Sequence, residues 1–124
     1  MSLLTPPTPY AYNAQVLSVY DGDTITVMLD MGLDVQKKAK CRFLGIDTPE
    51  LRTKSASEKK LGYAARDRLR ELVLDKVVTL QSMTKPDKYG RLLVRVWIDG
   101  KSINDLMVEE GLARSYDGGK RQPW

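Results

Sequence analysis

The stretch AQVLSVYDGDTITVML, residues 14–29, decides the fold. Its two halves, 14–20 and 24–29, are β-branched and apolar. Asp21-Gly22-Asp23 between them is a hairpin signal, because an Asp-Gly pair accepts the positive φ that a tight turn needs. Two antiparallel strands follow. After a turn around residues 31–34, KAKCRFLGI (38–46) reads as a third strand, with Arg42, Leu44 and Ile46 on one face and Cys41 and Phe43 on the other, unless a bulge at Gly45 shifts the register.

Beyond it, SASEKKLGYAARDRLRELVL (55–74) reads as a helix. Ser55 and Glu58 fit a capping box, and Leu61, Ala65, Leu69 and Leu72 recur at helical spacing, with Gly62 weakening the first turns. The basic residues Lys59, Lys60, Arg66, Arg68 and Arg70 interleave with Asp67 and Glu71 and read as a solvated face. KVVTLQS (76–82) and RLLVRVWID (91–99) are two more strands, joined by the loop MTKPDKYG. A short helix over 102–110 starts at Ser102, with Asp105 three residues on, buries Ile103, Leu106 and Met107, and stops at Gly111. This order predicts a mainly β domain with α (α+β), a five-stranded Greek-key barrel of the OB type with two or three helices. Residues 1–12 read as a proline-stiffened flexible lead-in, 13–116 as the domain and 117–124 as a tail.

Composition narrows the chemistry. At 124 residues one core is expected. The N-terminus lacks a charged start followed by an apolar run, which points to a cytoplasmic protein while leaving a secreted mature form open, and no apolar run is long enough to cross a bilayer. The single cysteine, Cys41, makes no internal disulfide and reads as a packed residue. With no histidine in the chain, histidine-based triads, histidine-ligated zinc and histidine general bases are all excluded. Proton transfer falls to carboxylates, lysines, tyrosines or water. A net charge of +4 favours polyanionic partners.

Taken singly, DGDT and DKYGR are turns, DTPE is a capped turn, and Arg42 is a rim arginine. Taken together they supply what phosphodiester cleavage requires. Asp23 and Asp47 with a nearby backbone carbonyl suit calcium, which takes oxygen ligands at about 2.3–2.6 Å. Glu50 is left to activate a water. Arg42 and Arg91 offer planar forks for a phosphate and for the charge that builds on it.

VYDGDTITV, CRFLGIDTPE, DKYGRLLVRVWIDG and INDLMVEEGLA, in this order over residues 14–116, resemble the staphylococcal (micrococcal) nuclease family. The resemblance implies calcium-dependent hydrolysis of DNA and RNA to 3′-phosphate and 5′-hydroxyl ends. It implies Asp23, Asp47 and the Thr48 carbonyl as calcium ligands, Glu50 as the base, and Arg42 and Arg91 on the scissile phosphate. Asp21 looks like a supporting carboxylate. Lys88 and Tyr89 match residues that contact a terminal phosphate of bound nucleotide. Tyr116 matches a tyrosine that lies against the nucleotide but follows GLA one position earlier than in the staphylococcal enzyme. The C-terminal helix of that longer enzyme is replaced by DGGKRQPW, and the YDGG ending resembles nucleases of phages and prophages. A monomer acting on DNA and RNA is expected, the alternative being an inactive nucleic-acid or protein-binding module on the same barrel.

Overall fold

The computed structural model describes residues 10–82, 85–120, 122 and 124. Most of the lead-in and residues 83–84 of the loop before the last long strand lie outside them. Five long strands carry the fold: β1 (Tyr10–Asp21), β2 (Thr24–Asp30), β3 (Gln36–Phe43), β5 (Val77–Ser82) and β6 (Leu92–Ile98). Three two-residue strands, β4 (Ile46–Asp47), β7 (Lys101–Ser102) and β8 (Arg114–Ser115), and two helices, α1 (Ala56–Val73) and α2 (Ile103–Glu109), complete it. The long strands pair in the order β3-β2-β1-β5-β6, and β6 returns to pair parallel with β3. That last pairing, of residues 41–43 with 92–94, closes the sheet into the five-stranded OB-type barrel predicted from sequence. No helix among the described residues is long and apolar enough to cross a membrane.

Alternation fills the barrel. Val16, Ile25, Val27, Cys41, Phe43, Val78, Leu80, Val94 and Val96 point inward and are essentially fully buried, each large one worth about 1.5–3 kcal/mol of transfer free energy. Leu69 and Val73 of α1 and Met107 of α2 pack against them. Burial pushes the Cys41 thiol up to about 12, so it is inert packing.

Four local readings change. β1 begins at Tyr10 and pairs with β5 through Ser82, so the strand starts inside the stretch read as lead-in. Gly45, at φ +82, ends β3 early and rotates the chain. Ile46 therefore turns into the core beside Cys41 and Phe43 instead of staying on the Arg42 face. On α1 the buried stripe is Gly62, Ala65, Leu69 and Val73, and Leu61 is exposed. Gly22 is absent from the positive-φ residues, so its small size rather than its turn freedom matters: a Cβ there would sit 2.7 Å from the Ala65 Cβ and 2.9 Å from the Thr48 Cγ2.

Gly62 works in the same way. A Cβ on it would meet the Pro49 and Glu50 carbonyl oxygens at 2.9 and 3.0 Å, so its absence lets α1 lie directly against the loop after β4. Gly62→Ala gains about 1 kcal/mol of helix propensity but forces that loop away. We expect a net loss of roughly 1–2 kcal/mol in urea unfolding, together with a several-fold fall in any activity that depends on Glu50.

Candidate active site

The site begins at the hairpin. β2 and β3 pair with Thr24 opposite Arg42, and the Phe43 N–H donates to the Asp23 carbonyl at 2.8 Å. This register sets the Arg42 side chain beside Asp23. After Gly45, β4 pairs with β8 and carries Asp47 and Thr48 back to the same place. The Thr48 N–H donates to Asp23 Oδ2 at 3.1 Å, tying the DTPE loop to the hairpin. Asp23, Asp47 and Thr48 are all at most 5% exposed.

Arg42 lies between the two carboxylates. Its Nη1 is 2.7 Å from Asp23 Oδ2 and its Nη2 is 3.6 Å from Asp47 Oδ1, with a longer bond from Nη2 to the Ile46 carbonyl at 3.4 Å. Nη1 is buried against the Asp23 carboxylate in that ion pair. The Arg42 side chain as a whole is 17% exposed, which leaves an edge of the guanidinium open to an anionic oxygen of a ligand. Asp21 Oδ1 accepts from the Asp23 N–H at 3.1 Å.

Burial first, then the charge of Asp23 and a shared hydrogen bond with it, pushes the Asp21 carboxyl up to about 7, against about 3.9 in an unfolded chain. The folded state thus holds a proton that the unfolded state releases between about pH 4 and 7, and stability falls as the pH rises through that window. In chelator, Asp21→Asn is expected to flatten this decline in thermal scans from pH 4.5 to 8.

Glu50 is exposed on the loop beyond Thr48. Its backbone N–H is held at 3.0 Å by Glu58 Oε2. The predicted capping box is therefore only half formed: Ser55 Oγ accepts from the Glu58 N–H at 3.2 Å, but the Glu58 carboxylate turns to the loop instead of closing the box. Arg91 immediately precedes β6, two residues before Leu93, the register partner of Arg42. Asp87 clamps it, accepting from the Arg91 N–H at 2.9 Å and from Nε at 2.8 Å. Burial alone raises the Asp87 carboxyl, but the bonds from Arg91 and the Tyr89 N–H hold it below its usual range.

Two open spaces flank the buried cluster. On one side a groove of about 750 Å³ is lined by Asp21, Thr24, Tyr89 and Arg91. On the other, adjoining hollows hold Tyr116 with Asp47 and with Arg42. The Tyr116 N–H donates to the Gly45 carbonyl at 2.9 Å, and its hydroxyl donates to the Gly119 carbonyl. Lys88 is exposed, with Nζ 5.2 Å from the centre of the Tyr89 ring. Of the residues singled out from sequence, Asp21, Asp23, Arg42, Asp47 and Thr48 form one contact cluster, Tyr89, Arg91 and Tyr116 line the spaces beside it, Glu50 stands on the adjoining loop, and Lys88 lies out at the surface.

The two buried carboxylates suit a hard cation, which takes oxygen ligands. Among the described residues no three or more His, Cys, Asp or Glu side chains gather to hold a metal by themselves. An ion at this place would have to draw on backbone and solvent oxygens besides the two aspartates.

The family described as Staphylococcal nuclease homologue matches residues 40–123, more than half of the chain. The chain belongs to the staphylococcal nuclease family. Among its relatives, Endonuclease YncB of Bacillus subtilis (strain 168) is 36% identical over 115 residues, covering 86% of this chain and 52% of its own. The SPbeta prophage-derived endonuclease YokF of the same strain is 40% identical over 96 residues, 76% of this chain and 31% of its own. Thermonuclease of Staphylococcus hyicus is 33% identical over 102 residues, 82% and 57% respectively. The chain spans from about a third to somewhat over half the length of these nuclease-family relatives.

One supporting residue of this family member escaped the sequence reading. Asn104, on α2, is fully buried. Its Oδ1 accepts from the Val96 N–H at 2.9 Å, and its Nδ2 donates to the Leu44 and Val94 carbonyls at 2.9 and 3.1 Å. It thereby fastens the turn that delivers Asp47 to the site. The available signal was a polar residue between Ile103 and Met107 on a core-facing helix stripe. Asn104→Leu takes the side-chain partner from the Val96 N–H and the Leu44 carbonyl, while the Val94 carbonyl keeps the Leu44 N–H at 2.8 Å, and is expected to cost about 2–3 kcal/mol in denaturant unfolding.

Proposed function

We propose that this chain is the catalytic unit of a calcium-dependent, sugar-nonspecific endonuclease, acting as a monomer, that hydrolyses phosphodiester bonds of DNA and RNA to 3′-phosphate and 5′-hydroxyl ends. The observation that carries the reading is Arg42 set between buried Asp23 and Asp47 in a chain of the nuclease family.

Asp23, Asp47 and the Thr48 carbonyl hold the ion. When bound, calcium supplies positive charge that offsets the phosphate and polarises its P–O bonds. Arg42 binds a non-bridging oxygen through its exposed edge, and Arg91, oriented by Asp87, grips another as negative charge builds there. Glu50 takes a proton from water as the water oxygen bonds to phosphorus in line with the leaving O5′. The P–O5′ bond breaks, its electron pair stays on O5′, and O5′ takes a proton from solvent. Asp21 steadies Asp23 through its N–H. Lys88 and Tyr89 take a further phosphate, and Tyr116 lies against the nucleotide.

The test is cleavage of a labelled single strand and of plasmid DNA by the purified chain. Activity in calcium that disappears in chelator, and in Asp23→Asn and Asp47→Asn variants that remain folded, is the expected result. Salt-sensitive binding without cleavage under any metal would replace this reading with a binding module.

A further inference from the structure

The basic residues of α1, which read from sequence as one solvated face, divide into two sets. Arg68 is committed to the fold: it forks onto Glu110 at 2.7 and 2.8 Å and reaches Glu71 at 3.1 Å, pinning α1 to the end of α2. Arg66 and Arg70, one helical turn apart and so on one face, line the 750 Å³ groove between the β1–β2 hairpin and α1. Lys40 of β3 joins them from the opposite wall. With Arg91 these make four cations; Asp21 lines the groove with them, and Asp67 and Asp87 pair with Arg66 and Arg91 from outside its lining. The lining carries an excess of positive charge, which favours an anion. The groove is open, and it is continuous with the candidate active site, because Asp21 and Arg91 belong to both.

Each of the three cations is presented rather than buried. Arg70 Nη2 donates to the Val19 carbonyl at 3.2 Å, which steers the guanidinium into the groove while leaving its other nitrogens available. Arg66 is stacked on the Tyr63 ring at 4.5 Å, which holds its plane in place, and Asp67, its ion partner at 3.0 Å, does not line the groove. Lys40 is exposed. Tyr20, also in the groove wall, leaves half of its surface to solvent. A row of cations with an exposed aromatic ring is how OB-type barrels hold single strands, with phosphates along the charges and a base on the ring.

We propose that this groove is a track for a single-stranded polynucleotide beyond the scissile phosphate, with Lys40, Arg66 and Arg70 taking successive backbone phosphates and Tyr20 stacking a base. The proposal rests on the nuclease reading and extends it. A strand then runs from the hollow at Tyr116, across the Asp23–Arg42–Asp47 cluster, and out along α1. Longer substrates gain contacts that a dinucleotide does not reach.

The test compares cleavage of a 16-nucleotide strand with that of a dinucleotide by the unsubstituted chain, by Lys40→Gln/Arg66→Gln/Arg70→Gln, and by the charge-keeping Lys40→Arg/Arg66→Lys/Arg70→Lys. In parallel, binding of the 16-mer is measured in chelator across a salt series. The glutamine variant is expected to raise KM for the 16-mer about tenfold relative to KM for the dinucleotide, with little change in kcat. Its slope of log K against log salt should be shallower by about 2, from three contacts at about 0.7 each. The charge-keeping variant should recover both. A folded glutamine variant with the original length preference and salt slope overturns the track. If the unsubstituted chain cleaves neither substrate, the nuclease reading fails, and the salt slope still decides the groove. If the triple variant does not fold, Lys40→Gln alone carries the test, with an expected slope change of about 0.7 and an unchanged slope overturning the proposal.

Discussion

Arg42→Ala is expected to weaken the fold and abolish catalysis together. The guanidinium sits 2.7 Å from Asp23 and 3.6 Å from Asp47, both buried, with Asp21 hydrogen-bonded to the Asp23 amide. Removing the cation leaves buried carboxylates facing one another without compensation, a change that costs about 3–5 kcal/mol in buried pairs. The side chain is 17% exposed, so solvent softens the loss toward the lower end. For a domain of this size that corresponds to a fall in Tm of roughly 10 °C or more. Saturating calcium restores part of it, because an ion between Asp23 and Asp47 replaces the missing positive charge. Cleavage does not return with it. Loss of an arginine that stabilises transferring phosphoryl charge is worth about 10³ or more in rate. Thermal scans with and without calcium, alongside cleavage rates, check both halves. A variant that keeps its Tm in chelator would show that Arg42 does not balance these charges.

Glu50→Gln separates chemistry from stability. Glu50 is exposed and outside the core, so the change is expected to leave unfolding within about 0.5 kcal/mol. A general base contributes about 10²–10⁴ in rate. Single-turnover cleavage should slow by that factor, while KM and calcium affinity stay near their original values. A rate within tenfold of the unsubstituted chain would take the base role from Glu50.

Much of this was legible in the chain because the elements that place the site are local. The hairpin at 21–23, the alternation of β2 and β3 and the Ser55 cap follow from two- and four-residue patterns. The charged residues stand out because they cluster at strand ends, where core packing does not call for them. What escaped depends on contacts between distant segments. Gly22 and Gly62 look like turn and helix-weakening glycines, yet both exist to let α1 press against the hairpin and the DTPE loop. That close approach turns Gly62 inward and leaves Leu61 outside, contrary to the apolar spacing. Ile46 reverses its face because Gly45 adopts a left-handed conformation, which alternation alone does not encode. Glu58 looked like a capping partner and instead holds the Glu50 amide. The division of the α1 arginines between Glu110 and the groove required the position of Glu110 at the end of α2, 42 residues on from Arg68.

The most direct measurement is the typing of product ends from a labelled single strand cleaved in calcium, in magnesium and in chelator by the unsubstituted chain and by Glu50→Gln. Cleavage that requires calcium, leaves 3′-phosphates and 5′-hydroxyls, and slows by at least about a hundredfold in the variant is the expected result. Products carrying 5′-phosphates, or cleavage that persists in chelator, would contradict a calcium-dependent attack that expels the 5′ oxygen at the Asp23–Arg42–Asp47 site.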